Sequence, residues 1–570
     1  MEDTMKQHTS IAAKAIAAGL SFALTMGSVA APVTIALADD TGTSASGTTT
    51  TAASSTGSVT IEKNANNNSD TTTTIGYQIF TADVVDNGTS KTASNIAWAS
   101  DEVATVVNAQ IKASDSTYTG TTAQEAADYL GTHLPAEGSS GTSTIIESGK
   151  LYSNIANALR TDMSLNPTTL KIGEAQSLSA GYWLFLTDIT STANTDSASK
   201  VDQVGTAPIY AVVGGSALTI SPKSNLPSVN KEVKNDATGA DWSNVADSQV
   251  GQNLQYRLTG TVADALPSYT TYYYKFTDTL SAGLTADSAS VAVTVNTDGK
   301  DYTVASNSYT MSLVPNTDGT STLGVEFTDL KSLIDASGTK IPVNATTHVY
   351  VTYTAKLNSS AVVANGYNNN SVKLTYSNNP GTDSKGDTTT VNVRDYTYKL
   401  NLVKVDSSQQ STKLSGAKFT IQATKPDEGT GTQYVQADGT LGTDAHEFTT
   451  DDNSSISVSG LDVGTYTVVE TQAPEGYNTV EKFGFSIAAT YDASGALTKV
   501  AASTTNATAA DASVGSDDAV TVTVKDKAGM SLPLTGQAGV TLTWVAGGVV
   551  LAFGITHLVR SRKRDENSAE

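Results

Sequence analysis

The chain of 570 residues contains no cysteine. Disulfide staples are therefore excluded, and with them thiolate nucleophiles and thiolate metal sites. Histidine is nearly as scarce: there are five, His8, His133, His348, His446 and His557. Two of these lie in terminal segments read below as a leader and an anchor, so zinc sites and His-based triads are left almost without material. Basic residues also fall short, 34 against 56 acidic ones, for a formal charge of −22. That balance argues against nucleic acid as a partner and suits a solvated extracellular surface. What the chain does have is length beyond one domain, 45 glycines, and abundant Thr, Ser and Ala. A secreted, multi-domain chain without disulfides needs large cores or another kind of staple.

The C-terminal segment carries the sharpest pattern. Leu532-Pro533-Leu534-Thr535-Gly536 is followed by an uncharged run of 20 residues from Val540 to Val559, then by Arg560, Arg562, Lys563 and Arg564. Twenty helical residues span about 30 Å, the thickness of a bilayer core. The basic cluster fixes the tail in the cytoplasm, which puts everything before Ser531 outside. This order resembles the cell-wall sorting signal of Gram-positive surface proteins. The resemblance implies that a sortase cuts between Thr535 and Gly536, holds Thr535 as a thioester and passes it to an amine, with peptidoglycan as one recipient.

The remaining organisation is read in chain order. Residues 1–38 resemble a signal peptide, with Lys6 and Lys14 before an apolar stretch and Ala36-Leu37-Ala38 as the cleavage pattern. Residues 39–56 read as a flexible leader. A first domain, 57–220, is β-rich with helical insertions: a capping box at Thr122 to Glu125 opens one helix, and a second helical pattern spans about Ile145 to Leu159. Residues 221–227, with Pro222 and Pro227, form an extended linker. A second domain, 228–394, and a third, 395–528, show short alternating stretches separated by turn signals, the pattern of immunoglobulin-like sandwiches. Residues 529–570 are the sorting signal. The expected fold class is all-β, tandem β-sandwiches, with a C-terminal transmembrane helix in the precursor.

Within these strands, ionisable residues fall in phase with the apolar face, since positions i, i+2 and i+4 share a side. In the third domain Leu400, Leu402 and Lys404 are in phase, as are Tyr466, Val468 and Glu470, and Val520, Val522, Val524 and Asp526. The second domain repeats this with Val229, Lys231 and Val233; with Tyr274, Phe276, Asp278 and Leu280; and with Asn370, Val372, Leu374, Tyr376 and Asn378. A Lys neutralised by burial becomes a nucleophile, and a carboxylic acid kept protonated can polarise a carbonyl. A Lys, an acid and an Asn or Asp carbonyl in one dry core can condense to an intramolecular isopeptide bond, releasing ammonia or water. Such a bond would tie a first strand to a last strand and supply the missing staple. The plainer alternative for each charge is an edge position or a snorkelling Lys.

From Ser221 to Lys527 the chain resembles the SpaH/EbpB-type LPXTG-anchored major pilins, the shaft subunits of sortase-assembled pili. The matching pieces are Tyr272 to Leu284, Ser371 to Pro380, and the box Glu470-Thr-Gln-Ala-Pro-Glu-Gly-Tyr477. The resemblance implies a fimbrial isopeptide-forming second domain with Lys231, Asp278 and Asn370, and a CnaB-type third domain with Lys404, Glu470 and Asp526, where the family commonly shows Asn in place of Asp526. Asn378 shares a face with Asn370 and is the weaker alternative. The resemblance also makes Lys223, in Ser221-Pro222-Lys223-Ser224, the lysine that accepts Thr535 of another subunit; both flanks depart from the family's Tyr-Pro-Lys-Asn, and outward-facing Lys234 is its rival. In the first domain Lys63 opens a strand, but Leu and Phe occupy the phase of Gly181 to Asp188 where an acid would be needed, so no isopeptide is expected there.

The implied function is a structural backbone subunit, secreted to the cell wall and held transiently at the membrane. Its partners would be sortase, identical subunits, minor pilins and peptidoglycan, with a host or matrix ligand left open. The alternative is a single-copy or minor-pilin wall-anchored adhesin. No enzyme activity, cofactor or metal is expected. The turns Asn296 to Gly299 and Asn316 to Gly319 are equally readable as Ca²⁺ loops or hairpin turns.

Overall fold

A computed structural model describes residues 53–63, 72–86, 91–133, 146–189, 203–221, 225–234, 241–424 and 432–529. The expected signal peptide, the sorting signal with its transmembrane span, and Lys223 lie outside the described residues. Among those described, no helix is long and apolar enough to cross a membrane. The architecture is strand-dominated throughout, with helices only in the N-terminal part.

That part builds two sheets. A five-stranded sheet centres on the long strand Thr73–Asp86, which pairs with Lys91–Trp98 and Gly181–Asp188; the last pairs with Ile209–Val213. A three-stranded sheet places Thr56–Ile61 between Ala175–Ser179 and Leu218–Ile220. Three helices cover the larger sheet: α1 (Asp101–Ser114), α2 (Ala123–Thr132) and α3 (Leu151–Thr161). The capping box expected at Thr122 is formed, with Glu125 and Thr122 satisfying each other's backbone N–H groups. The second expected helix begins at Leu151, several residues later than its apolar pattern suggests. Gly149 adopts a φ of 78°, which breaks helical geometry just before it. Helix α1 was missed from sequence; Val103, Val107 and Ile111 form its buried stripe, and Ser100 caps it.

The second domain is a sandwich of two sheets. One runs Trp242–Ser243, Val229–Lys234, Asn253–Thr261, His348–Leu357, Leu284–Thr297, Lys300–Thr303; the other runs Val245–Asp247, Val391–Tyr396, Asn368–Ser377, Tyr274–Leu280, Ser321–Phe327, Thr310–Pro315, with Lys385–Asp387 also on Asn368–Ser377. Alternating side chains from both sheets meet in one core that includes Tyr256, Tyr274, Phe276, Phe327 and Tyr376. The third domain repeats the plan. A four-stranded sheet (Ser455–Leu461, Tyr398–Asp406, Val520–Asp526, Ala510–Val514) faces a larger one in which Lys418–Ala423, Gly464–Gln472, Phe483–Tyr491 and Leu497–Thr504 are successive neighbours.

The junctions between domains are hydrogen-bonded. Ser148 N donates to Pro267 O at 2.9 Å and Asn379 Nδ2 to Thr187 O at 3.2 Å between the first and second domains. Val250 N donates to Gly460 O at 2.9 Å and Tyr491 OH to Asp247 Oδ2 at 2.7 Å between the second and third. The two candidate Ca²⁺ turns are hairpin turns: Thr297 pairs with Lys300, with Asp298 and Gly299 at positive φ, and Asp318 caps its own turn through Thr320. Asp298 is hydrogen-bonded by Thr346 and Asn344, and no cluster of three metal-ligating residues occurs among the described residues.

Candidate functional sites: two buried lysines

Lys231 and Lys404 are both buried, at 1% and 0% exposure. The alternation of Val229–Lys234 and Tyr398–Asp406 forces this. A strand with Val229 and Val233, or Leu400 and Leu402, turned into the core must turn the intervening or following Lys inward as well. Burying an ammonium is tolerable only with a counter-charge, and each lysine has one.

In the second domain, Lys231 Nζ lies 2.6 Å from Asp278 Oδ1 and 2.7 Å from Oδ2. Asp278 is itself fully buried, two residues beyond Phe276 on the facing sheet. Asn370 sits on the neighbouring strand, opposite Leu280 in the pairing register, and is likewise fully buried. Tyr353 stands among all three. Its hydroxyl accepts from Lys231 Nζ at 3.2 Å and from Asn370 Nδ2 at 2.7 Å, and donates to Asp278 Oδ2 at 2.5 Å. The rings of Tyr256 and Tyr353 stack at 5.3 Å, and Lys231 Nζ lies 5.2 and 5.5 Å from their centroids. Burial pulls the Lys231 ammonium down to about 8, partly opposed by Asp278.

Asn378 is elsewhere. It is buried against the first domain, where its carbonyl accepts from Gly205 N at 2.5 Å and its Oδ1 from Ser384 Oγ at 2.8 Å. Sharing a face with Asn370 did not bring it to Lys231, because the strand ends at Ser377 and the chain turns into the domain junction. Lys234 ends its strand half-buried, with its ammonium over the Trp242 ring at 5.2 Å.

In the third domain, Lys404 Nζ pairs with Asp526 Oδ1 and lies 3.0 Å from Glu470 Oε1. Tyr398–Asp406 and Val520–Asp526 run parallel as neighbours, Lys404 opposite Val524, so Asp526 is one pleat further along the same face. Glu470 reaches in from the opposing sheet, and its Oε2 accepts from Val480 N at 2.8 Å. Burial pushes both acids up, against the opposing pull of Lys404. Both sites therefore bring together the residues that alternation had placed in phase: an amine, an acid and a carbonyl in a dry core.

The first domain has a different arrangement. Lys63 is exposed, and Leu184, Phe185 and Leu186 fill the core where an acid would be needed. The buried lysine there is Lys91, which donates to Ser216 O at 3.2 Å and sits 3.9 Å from Asp86. It escaped the sequence reading because it opens its strand, before any alternation is established. Tyr353 was visible in the alternating run Val349, Val351, Tyr353, but a tyrosine in phase with a core reads as packing, and its hydroxyl partners come from three other strands.

Residues 250–380 match the family model of the Gram-positive pilin backbone subunit 2, Cna-B-like domain. The second domain is thus similar to Gram-positive pilin backbone domains. Residues 398–505 match the SpaA prealbumin-like fold domain. No curated protein matches the chain in sequence. Among solved structures, the T6 backbone pilin of Streptococcus pyogenes aligns at 18% identity over 84% of this chain and 99% of its own, with a TM-score of 0.47. The full-length major pilin SpaD of Corynebacterium diphtheriae aligns at 15% identity over 84% and 98%, TM-score 0.41. The group B streptococcus pilus 2b backbone protein aligns at 22% identity over 53% and 99%, TM-score 0.37.

Proposed function

We propose that this protein is the backbone subunit of a covalently polymerised surface pilus. The observation that carries the reading is the backbone-pilin match over residues 250–380, laid on a domain whose core holds Lys231, Asp278 and Asn370 in mutual reach. In the polymer, a sortase acylates itself with Thr535 and transfers it to Lys223 of the next subunit. Within each subunit, Lys231 condenses with Asn370 and Lys404 with Asp526, assisted by Asp278 and Glu470. The sorting signal holds each subunit at the membrane until transfer, and peptidoglycan receives the basal end.

Lys223 lies just before the second domain in sequence. An immunoblot of wall extracts tests the polymer. A high-mass ladder that collapses in Lys223→Ala is expected, whereas a single band in the wild type would leave a single-copy adhesin. The intact mass of the processed chain tests the internal bonds: it should fall short of the sequence mass by one ammonia plus one water, and an undiminished mass refutes both.

A further inference from the structure

We infer that Tyr353 is a catalytic residue of the second domain's cross-link, carrying the proton from Asp278 to the departing nitrogen of Asn370. This rests on the reading above, that Lys231 and Asn370 condense. An amide nitrogen departs from a tetrahedral centre only when protonated, because the amide anion is too basic to be expelled. Asp278 is the acid in the site, yet the group that touches Asn370 Nδ2 is the Tyr353 hydroxyl, at 2.7 Å. That hydroxyl in turn donates to Asp278 Oδ2 at 2.5 Å.

A tyrosine hydroxyl has one proton to give and two lone pairs to accept with, and here all three are used on the reacting groups: Lys231, Asn370 and Asp278. The ring is fully enclosed, stacked on Tyr256, so the hydroxyl is held in place. Asn370 Oδ1, by contrast, is buried with no hydrogen-bond partner among the described residues. The contacts of Asn370 thus converge on the nitrogen that must leave.

The step balances. The Lys231 ammonium first gives a proton to Asp278. The neutral amine attacks Asn370 Cγ, forming the Nζ–Cγ bond. Tyr353 gives its proton to Nδ2 while taking one from Asp278, the Cγ–Nδ2 bond breaks, and ammonia departs. The surplus proton on Nζ passes to Asp278, which ends protonated, with Tyr353 unchanged. No oxidant, metal or co-reactant is required.

The test follows joining in the full-length chain, denatured at intervals after synthesis and digested, by the fraction of Lys231 and Asn370 peptides linked with loss of ammonia. Tyr353→Phe should slow linkage by about 100-fold or more, the usual weight of general acid–base catalysis. The Lys404–Asp526 linkage in the same molecules should keep its rate, which reports that the chain has folded. Replacing Tyr353 by 3,5-difluorotyrosine keeps the ring and an ionisable hydroxyl, and should hold the rate within about tenfold of wild type. Linkage of Tyr353→Phe at the wild-type rate overturns the proposal, as does equal slowing by both replacements, which would place the effect in packing. Absence of ammonia loss in the wild type would instead remove the cross-link reading itself.

Discussion

The second and third domains solve one problem with different geometry. In the third, the residues proposed to join are neighbours in one sheet, on its first and last strands in chain order, running parallel, and Glu470 comes across from the other sheet. In the second, Lys231 lies in one sheet and Asn370 in the other, so the bond would span the sandwich, with Asp278 on the strand beside Asn370 and Tyr353 in the same sheet as Lys231. The expectation of a first-to-last tie therefore fits the third domain only. Asn370 is followed by two more strands, Lys385–Asp387 and Val391–Tyr396. The charge inventories differ too. Lys404 faces two carboxyl groups, whereas Lys231 has Asp278 alone. A departing water can be protonated by an acid already in contact; a departing ammonia here has a tyrosine between it and the acid.

The largest expected effect follows from that inventory. Asp278→Ala should block linkage and leave the Lys231 ammonium buried without a counter-charge. Losing the closed loop costs about 5 kcal/mol on the chain-entropy account of cross-links, and the stranded charge adds about 3–5 kcal/mol. In a thermal scan the transition of the second domain should fall steeply while that of the third holds. Glu470→Ala should also block linkage, leaving the third domain heavier by one water. Asp526 would still neutralise Lys404, so the loss should be nearer the about 5 kcal/mol of loop closure alone. Equal losses in the two variants would erase the proposed distinction.

A smaller effect should appear with pH once the second domain is left unlinked, as in Asn370→Ala. Lys231 binds its proton less tightly when folded, at about 8 against 10.5 in the open chain. Between these values the folded state holds fewer protons, so stability should rise with pH across that window, by about 3 kcal/mol, and be lower below it. Denaturant titrations at pH 7.5 and 10 (about the two ends of that range) would read it; a fall with rising pH contradicts the burial argument. The smallest effect should come from exchanging leaving groups. Asp526→Asn should still link, with ammonia replacing water in the mass deficit and stability changed by less than about 1 kcal/mol, since only a carboxyl oxygen becomes a nitrogen.

Much of this was legible because strand alternation is unforgiving. A one-residue slip would have turned Lys404, Glu470 and Asp526 out to solvent together, so their shared phase with Val and Leu located them in the core. Phase gives a face without a position along it, which is why Asn378 stayed a weaker alternative to Asn370 until the strand's end at Ser377 was visible. Topology was illegible for the same reason: nothing local records that Asn368–Ser377 pairs in the sheet opposite Lys231. Helix α1 was missed although its stripe was present, and the role of Tyr353 depends on partners far away in sequence.

The placement of the two proposed cross-links has a mechanical consequence. A pull applied between Lys223 and Thr535 would pass through Lys231 to Asn370 and through Lys404 to Asp526, bypassing everything enclosed between each pair. The stretch from Ser371 to Val403 is enclosed by neither. It contains Val391–Tyr396 and the start of Tyr398–Asp406, held by hydrogen bonds and core packing without a covalent tie. Stripped and fully extended, it would span roughly 110 Å at most, and each subunit would lengthen by that less its folded span and then stop. The first domain, lying before Lys223, would hang beside that line of force. A shaft assembled this way would yield by a fixed increment at each subunit and recoil when those strands pair again.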